Sequence, residues 1–244
     1  MALFTDGGIG TLEDLTGYDS GLLGVVGPEG IDTTKKLSLA QQEVGVELEA
    51  VLPRAGVALV NVVVTTPLRM WVVFKTLELV YRDAYHNQLN DRYKGKWQEY
   101  RELAQWAQQK LLETGVGIAT EPLPRPVLPE LEAVAGALEE GTYYVCMAWA
   151  NAAGEESAAS EWNTAAVGAG AGLTITPGTA PAGACGWNVY AGTSAESMRL
   201  QNDNPLPPGA AWTWVGPARV EGREPGDGQT ASYTRALPRI LQRG

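Results

Sequence analysis

Thr66-Pro67-Leu68-Arg69-Met70-Trp71-Val72-Val73-Phe74 opens the stretch on which the reading of this chain turns, and that stretch continues to Thr114. A threonine hydroxyl caps a first helical turn well, and proline just inside the turn gives up an N–H that has no partner there anyway. Apolar residues then return at helical steps: Met70, Val73, Phe74, Leu77, Tyr81, Ala84, Tyr85 and Leu89. Asp91-Arg92-Tyr93-Lys94-Gly95 interrupts the series, as a turn or as a kink. A second series follows at Trp97, Tyr100, Ala104, Ala107 and Leu111, with Gly115 in the place of a C-cap. The pattern predicts helix over 67–113.

Between Leu68 and Phe74 nearly every position is apolar, and Trp106 stands off the stripe of Ala104, Ala107 and Leu111. A helix apolar on more than one side is either deep in a core or shared with another chain. The helical half is expected to be too small to wrap it, which points to partner chains covering Trp71 and Trp106. Packing of these tryptophans under local loops is the plainer alternative.

Upstream, Val57 to Val64 is an apolar, β-branched run without alternation, read as a buried strand or extended connector. A lone strand carrying Val62 and Val64 needs an edge to pair with, and a neighbouring subunit could supply it. Before it, Leu37, Ala40, Val44, Leu48 and Val51 share one face of a helix predicted from Asp32 or Thr33 to about Leu52, ended by Pro53. Lys35 and Lys36 oppose the helix dipole in its first turn, a small penalty that hints at an external acidic contact or at nothing. Residues 1–31, glycine-rich and without a period, read as an extended arm with one short turn near Ser20 to Leu23.

Downstream, Pro122, Pro124, Pro126 and Pro129 suggest a semi-rigid linker over 118–128. The pattern then changes to short strands. Tyr143, Val145, Met147 and Trp149 alternate along 141–149; Leu173 to Thr176, Gly186 to Gly192 and Trp212 to Val215 follow, with turn residues between. Aromatics at every second residue over 129–233 predict an antiparallel β-sandwich. The fold class expected is therefore α+β in two domains: a helical domain over 32–117, then the sandwich. A cationic, apolar tail over 234–244 carries Leu237, Arg239, Ile240, Leu241 and Arg243.

The formal charge of −10 over 244 residues argues against a chain that grips nucleic acid by its phosphates. No segment has the roughly 18 uninterrupted apolar residues of a membrane span, and the N-terminus lacks a signal-peptide pattern, so synthesis and use without the secretory route are expected. In that setting Cys146 and Cys185 are expected as free, partly buried thiols rather than a disulfide.

Chemistry-bearing residues are sparse. His86 is the single histidine, and neither cysteine has a second within metal-ligand spacing. The glycines at 7, 8 and 10 follow no strand, and no phosphate-binding loop motif occurs. Glu43 and Glu47 lie one turn apart on an exposed helix face; Glu139-Glu140 and Glu155-Glu156 are adjacent loop pairs, ordinarily solvated. The acidic turn from Asn151 to Glu156 lacks the ordered oxygen spacing of a calcium loop. No catalytic, cofactor or metal residues are assigned, and an enzyme such as a wall hydrolase would need an acid pair that is not visible.

Gly141-Thr142-Tyr143-Tyr144-Val145, Trp149 with Asn151-Ala152-Ala153-Gly154-Glu155-Glu156, Leu173-Thr174-Ile175-Thr176, Gly186-Trp187-Asn188-Val189-Tyr190-Ala191-Gly192 and Leu200-Gln201-Asn202 together resemble the small immunoglobulin-like or fibronectin type III-like modules of tailed-bacteriophage virion proteins. Ser38-Leu39-Ala40-Gln41-Gln42-Glu43, Asn61 to Arg69, Val80-Tyr81-Arg82-Asp83-Ala84-Tyr85 and the run from Gln88 to Tyr100 resemble a head–tail adaptor, or neck, protein of the same phages. The resemblance implies a non-enzymatic ring protein, commonly of twelve copies, between the portal and the tail proteins, with double-stranded DNA passing through unread. It implies a virion location after synthesis in the bacterial cytoplasm, and a sandwich that projects outward or contacts capsid or tail. Trp71, Trp106, Val62 and Val64 would then meet neighbouring subunits. Leu237, Arg239, Ile240, Leu241 and Arg243 would enter the portal. A different reading makes the sandwich a receptor- or glycan-binding module, with Trp212 and Trp214 as a stacking platform.

Overall fold

The computed structural model describes residues 2–88 and 91–237. The chain is α+β and divides into two compact units: residues 7–118 join 231–237 in one, and residues 2–6 join 119–230 in the other.

The first unit holds α1 (Leu12–Tyr18), α2 (Leu23–Glu29), α3 (Thr33–Val51), α4 (Thr66–Gln88) and α5 (Lys94–Thr114). The long predicted stretch is thus two helices, with a short 3-10 turn at Asp91–Tyr93 before α5, and Gly95 lies in the first turn of α5. Pro67 sits in the first turn of α4, and Gly115 closes α5 at φ 121°, its N–H donating to the Leu111 carbonyl. Asp32 caps α3 by accepting the Lys35 N–H at 3.1 Å.

The all-round apolarity of α4 has an explanation within one chain. α1, α2, α3 and α5 all pack on it, and Trp71, Val72, Val73 and Phe74 are four consecutive buried residues. The expectation that the helical half is too small to wrap this helix is corrected by the first thirty residues. They are not an extended arm. Thr11 opens α1 with a capping box: its hydroxyl accepts the Asp14 N–H at 3.1 Å, and its own N–H donates to Asp14 at 2.8 Å. Gly30, at φ 65°, closes α2 in the left-handed conformation that glycine adopts without penalty. Leu15 and Leu22 are fully buried. Lys36 finds its acid inside the fold, in an ion pair with Asp83 of α4.

Asp19, the C-cap of α1, ties three segments together. The hydroxyls of Tyr81 on α4 and Tyr100 on α5 donate to its carboxylate at 2.7 and 3.0 Å, and the Gly21 N–H does so at 3.0 Å. Lys96 stands 3.6 Å away. Burial works against the charge on Asp19, but these donors and the Lys96 cation outweigh it and hold the carboxyl below its ordinary range.

The valine run is not a strand. Leu59–Asn61 forms a 3-10 turn, and only Val62 and Val63 pair, with Ile118 and Gly117 of the same chain. Those residues belong to β1 (Val116–Ile118), which also pairs antiparallel with β9 (Tyr233–Arg235). The Leu59–Asn61 turn takes up the middle of the run that a strand would have needed.

The second unit is an antiparallel sandwich. One sheet has the order β4 (Asn163–Val167), β3 (Gly141–Ala150), β6 (Gly186–Gly192), β7 (Arg199–Leu200). The other is β2 (Glu130–Ala135), β5 (Ala171–Thr176), β8 (Trp212–Trp214). Alternation sends Tyr143, Val145, Met147 and Trp149 of β3 inward with Trp187 and Val189 of β6, against Leu173, Ile175 and Trp214 of the facing sheet. Trp149 and Trp187 stand directly opposite one another in the β3–β6 register. The proline-rich segment groups with this unit: Leu123 is buried in its core, and its N–H donates to Gln229 at 2.6 Å.

On the outer face of β6, Glu156 is buried. It accepts from the Tyr190 hydroxyl at 2.8 Å, from Asn188, and from the two terminal guanidinium nitrogens of Arg223 at 2.6 and 2.7 Å. Asp203 holds Arg219 and Gln201 holds its backbone N–H, so the irregular chain before β9 is fastened by polar contacts rather than by strand pairing.

Candidate interaction site

An open groove of about 1180 Å³ lies between α3 and α5, with α4 as its floor. Glu43, Val46 and Glu47 form the α3 wall, and Trp97, Arg101, Gln108, Leu112 and Glu113 lie along α5. Trp71 and Lys75 rise from α4. Lys75 Nζ is 3.0 Å from both Glu43 and Glu78, a clasp that links the α3 wall to the floor. Burial disfavours the Lys75 charge, yet the two carboxylates raise its pKa above the ordinary lysine value. Gln108 donates to Glu47 at 3.1 Å. The groove therefore has a mixed lining: Trp71 beside the charged Lys75, Glu78 and Arg82 on the floor, carboxylates on both walls and glutamine amides along α5.

The expected interface residues fall in different places. Trp71 is 4% exposed and sits at the base of the groove. Val62 is fully buried and Val64 half-buried, both covered by their own chain. Trp106 alone among these four stands clear of the packed face, 49% exposed on α5. Leu237 is buried, and its N–H donates to the Leu112 carbonyl at 2.8 Å. Arg239, Ile240, Leu241 and Arg243 lie outside the described residues.

Trp212 and Trp214 stack with ring centres 6.2 Å apart, and Trp214 meets Tyr143 edge-on at 5.1 Å. Trp214 is core, and Trp212, partly buried, packs against that core. His86 is exposed, its ring against Tyr85 and Trp97. Among the described residues, no group of three or more His, Cys, Asp or Glu side chains could hold a metal ion. None of the helices described is long and apolar enough to cross a membrane.

No family model, no curated protein and no solved structure matches the chain.

The groove is not legible in the sequence, because it arises from how three helices pack. Its traces were Glu43 and Glu47 one turn apart on α3, and Lys75 three residues before Glu78 on α4. The two thiols are free, as expected, but differ sharply: Cys146 is buried and Cys185 exposed. Burial, with some help from Glu161, pushes the Cys146 thiol up to about 12. Thiolate is the reactive form, so burial and the raised pKa both make Cys146 the much slower thiol at neutral pH. Titration with Ellman's reagent should find Cys185 alone in the native chain and both cysteines in denaturant. Equal rates would contradict the burial.

Proposed function

We propose that the chain is a structural, non-enzymatic subunit of a tailed-bacteriophage head–tail adaptor. Identical copies form a ring beneath the portal protein and above the tail proteins. DNA passes through the lumen without being read. The β-sandwich unit projects from the ring, toward capsid or tail.

The observation that carries this reading is Trp106. It is a large apolar side chain, half-exposed in the middle of α5, on a chain whose other α5 aromatics, Trp97 and Tyr100, are at least partly covered. Val46, Leu39 and Leu23 are further exposed apolar side chains of the same unit. A surface of this kind on an acidic chain suits repeated contacts between like subunits, and ring symmetry multiplies modest contacts. The negative charge suits a lumen past which a polyanion slides. The adaptor-like residue runs on α3, α4 and the start of α5 agree with the same assignment.

Electron microscopy of the purified chain, alone and beside virions, tests it. Closed rings are expected, and labelled chains should lie at the neck of the particle. Trp106→Glu should leave the thermal midpoint of the monomer unchanged, because the side chain packs on little, yet abolish the rings. A chain that stays monomeric at high concentration and has no place in any particle would remove the proposal.

A further inference from the structure

We infer that the end of the α3–α5 groove marked by Arg82 and Arg101 is a docking site for an acidic peptide segment of a partner protein, with an aspartate or glutamate side chain held by the two guanidiniums. The charges that line the groove divide unevenly. Each carboxylate is answered within the chain: Glu43 and Glu78 by Lys75, Glu47 by Gln108, and Glu113 by Gln109 and Lys110. Arg82, half-buried on α4, and Arg101, exposed on α5, line it too. Among the described residues, neither arginine has an ion-pair or hydrogen-bond partner.

The pairing of α4 with α5 puts the two arginines at one level. Tyr85 stacks on Trp97 with ring centres 5.7 Å apart, and Tyr81 stacks on Tyr100 at 5.6 Å. Arg82 falls between those two tyrosines on α4, and Arg101 follows Trp97 by one turn of α5. Trp97 lines the groove at the same level and buries its indole N–H without an acceptor. This end of the groove thus gathers three donor groups that the chain leaves unanswered.

The surroundings select the ligand. A guanidinium fork fits the planar oxygens of a carboxylate and also binds phosphate. Four glutamates line the same groove and oppose a multiply charged phosphate, whereas two arginines offset the single charge of a carboxylate. Gln105, exposed one turn beyond Arg101, offers its amide to an extended backbone. Val46, 67% exposed on the α3 wall, offers apolar contact further along. The site is distinct from the Trp106 surface to which the adaptor reading gives the subunit contacts, and it stands without that reading.

A blocked peptide of alternating glutamate and leucine tests it, titrated into the isotope-labelled full chain while the tryptophan indole N–H signals are followed by NMR. Trp97 is assigned by the signal lost in Trp97→Phe. Its signal should shift saturably with the glutamate peptide and stay in place with the glutamine counterpart. Arg82→Gln and Arg101→Gln should each weaken binding about tenfold, since each removes a charge-assisted contact. Neither should move the thermal midpoint, because neither arginine has a partner in the fold to lose. No shift, equal shifts with both peptides, or unchanged binding in the two variants would overturn the inference. So would inorganic phosphate binding as tightly as the glutamate peptide, which would make this a simple anion site. A Trp97 signal that moves with chain concentration alone would put a second copy in the groove, and would overturn it as well. Ring formation is read separately by microscopy, so failure here and failure of the adaptor reading are told apart.

Discussion

Trp187→Ala is expected to destabilise the sandwich unit by about 4 kcal/mol, the largest effect of any single substitution considered. Trp187 is completely buried on β6 and faces Trp149 across the β3–β6 ladder. Its indole N–H donates to the Ala210 carbonyl at 3.2 Å. Strand β6 is buried along its whole length between β3 and β7, so the sheet has little freedom to collapse into the space that a missing indole would leave. The deletion therefore combines lost transfer energy, an unfilled cavity and one stranded carbonyl. Near-UV circular dichroism during urea unfolding should show the sandwich transition moving to lower denaturant, with the helical unit's far-UV signal little changed. A loss of less than about 1 kcal/mol would show that the two facing tryptophans are not the centre of this core.

Asp19→Ala should cost the helical unit about 3 kcal/mol. The substitution leaves the Tyr81 and Tyr100 hydroxyls, both buried, without their acceptor, and releases the turn after α1 from the Gly21 N–H. Asn at the same position should recover part of the loss, since it keeps one acceptor oxygen. The two tyrosines also gain by the arrangement: burial and the Asp19 charge push both phenols above their ordinary range, so they remain donors at any pH the fold survives. The sign of the acid dependence follows from the carboxyl. Its folded pKa lies below the ordinary 3.8, so its contribution is complete above that value and is lost as pH falls through the folded value. The stability gap between parent and Asp19→Ala should thus be constant from neutral pH to about pH 4 and narrow below it. A gap that widens on acidification would refute the assignment.

How much of this was visible in the residues differs from element to element. The strand alternation at Tyr143 to Trp149 and at Trp187 and Val189 was decisive, because a sheet with one wet face records its burial in every second residue. α3 was equally plain from its Asp32 cap and its heptad-like stripe. The first thirty residues were misread, since glycine-rich composition masked a capping box at Thr11 and Asp14 and two helices too short to show a period. The valine run misled in the other direction. β-branched residues favour extended backbone, but Val62 and Val63 needed only Ile118 and Gly117 of the same chain to pair. The groove, the Asp19 cluster and the Glu156–Arg223 pair were all out of reach. Each joins residues dozens of positions apart, and nothing local marks Asp19 as the acceptor for Tyr81 and Tyr100.

The pairing of β1 with β9 has a bearing on biosynthesis. Strand β9 closes the ladder begun by β1, and the Ser232 N–H reaches the Ile118 carbonyl at 2.8 Å, so the whole sandwich is threaded between two adjoining backbone strands. A chain emerging from the ribosome therefore presents its helices first and its sandwich second, yet the helical body is sealed only once β9 has been made. Until then β1 carries a bare edge. Premature termination anywhere in the sandwich would leave that edge open, coupling the soundness of the helical body to synthesis of β9.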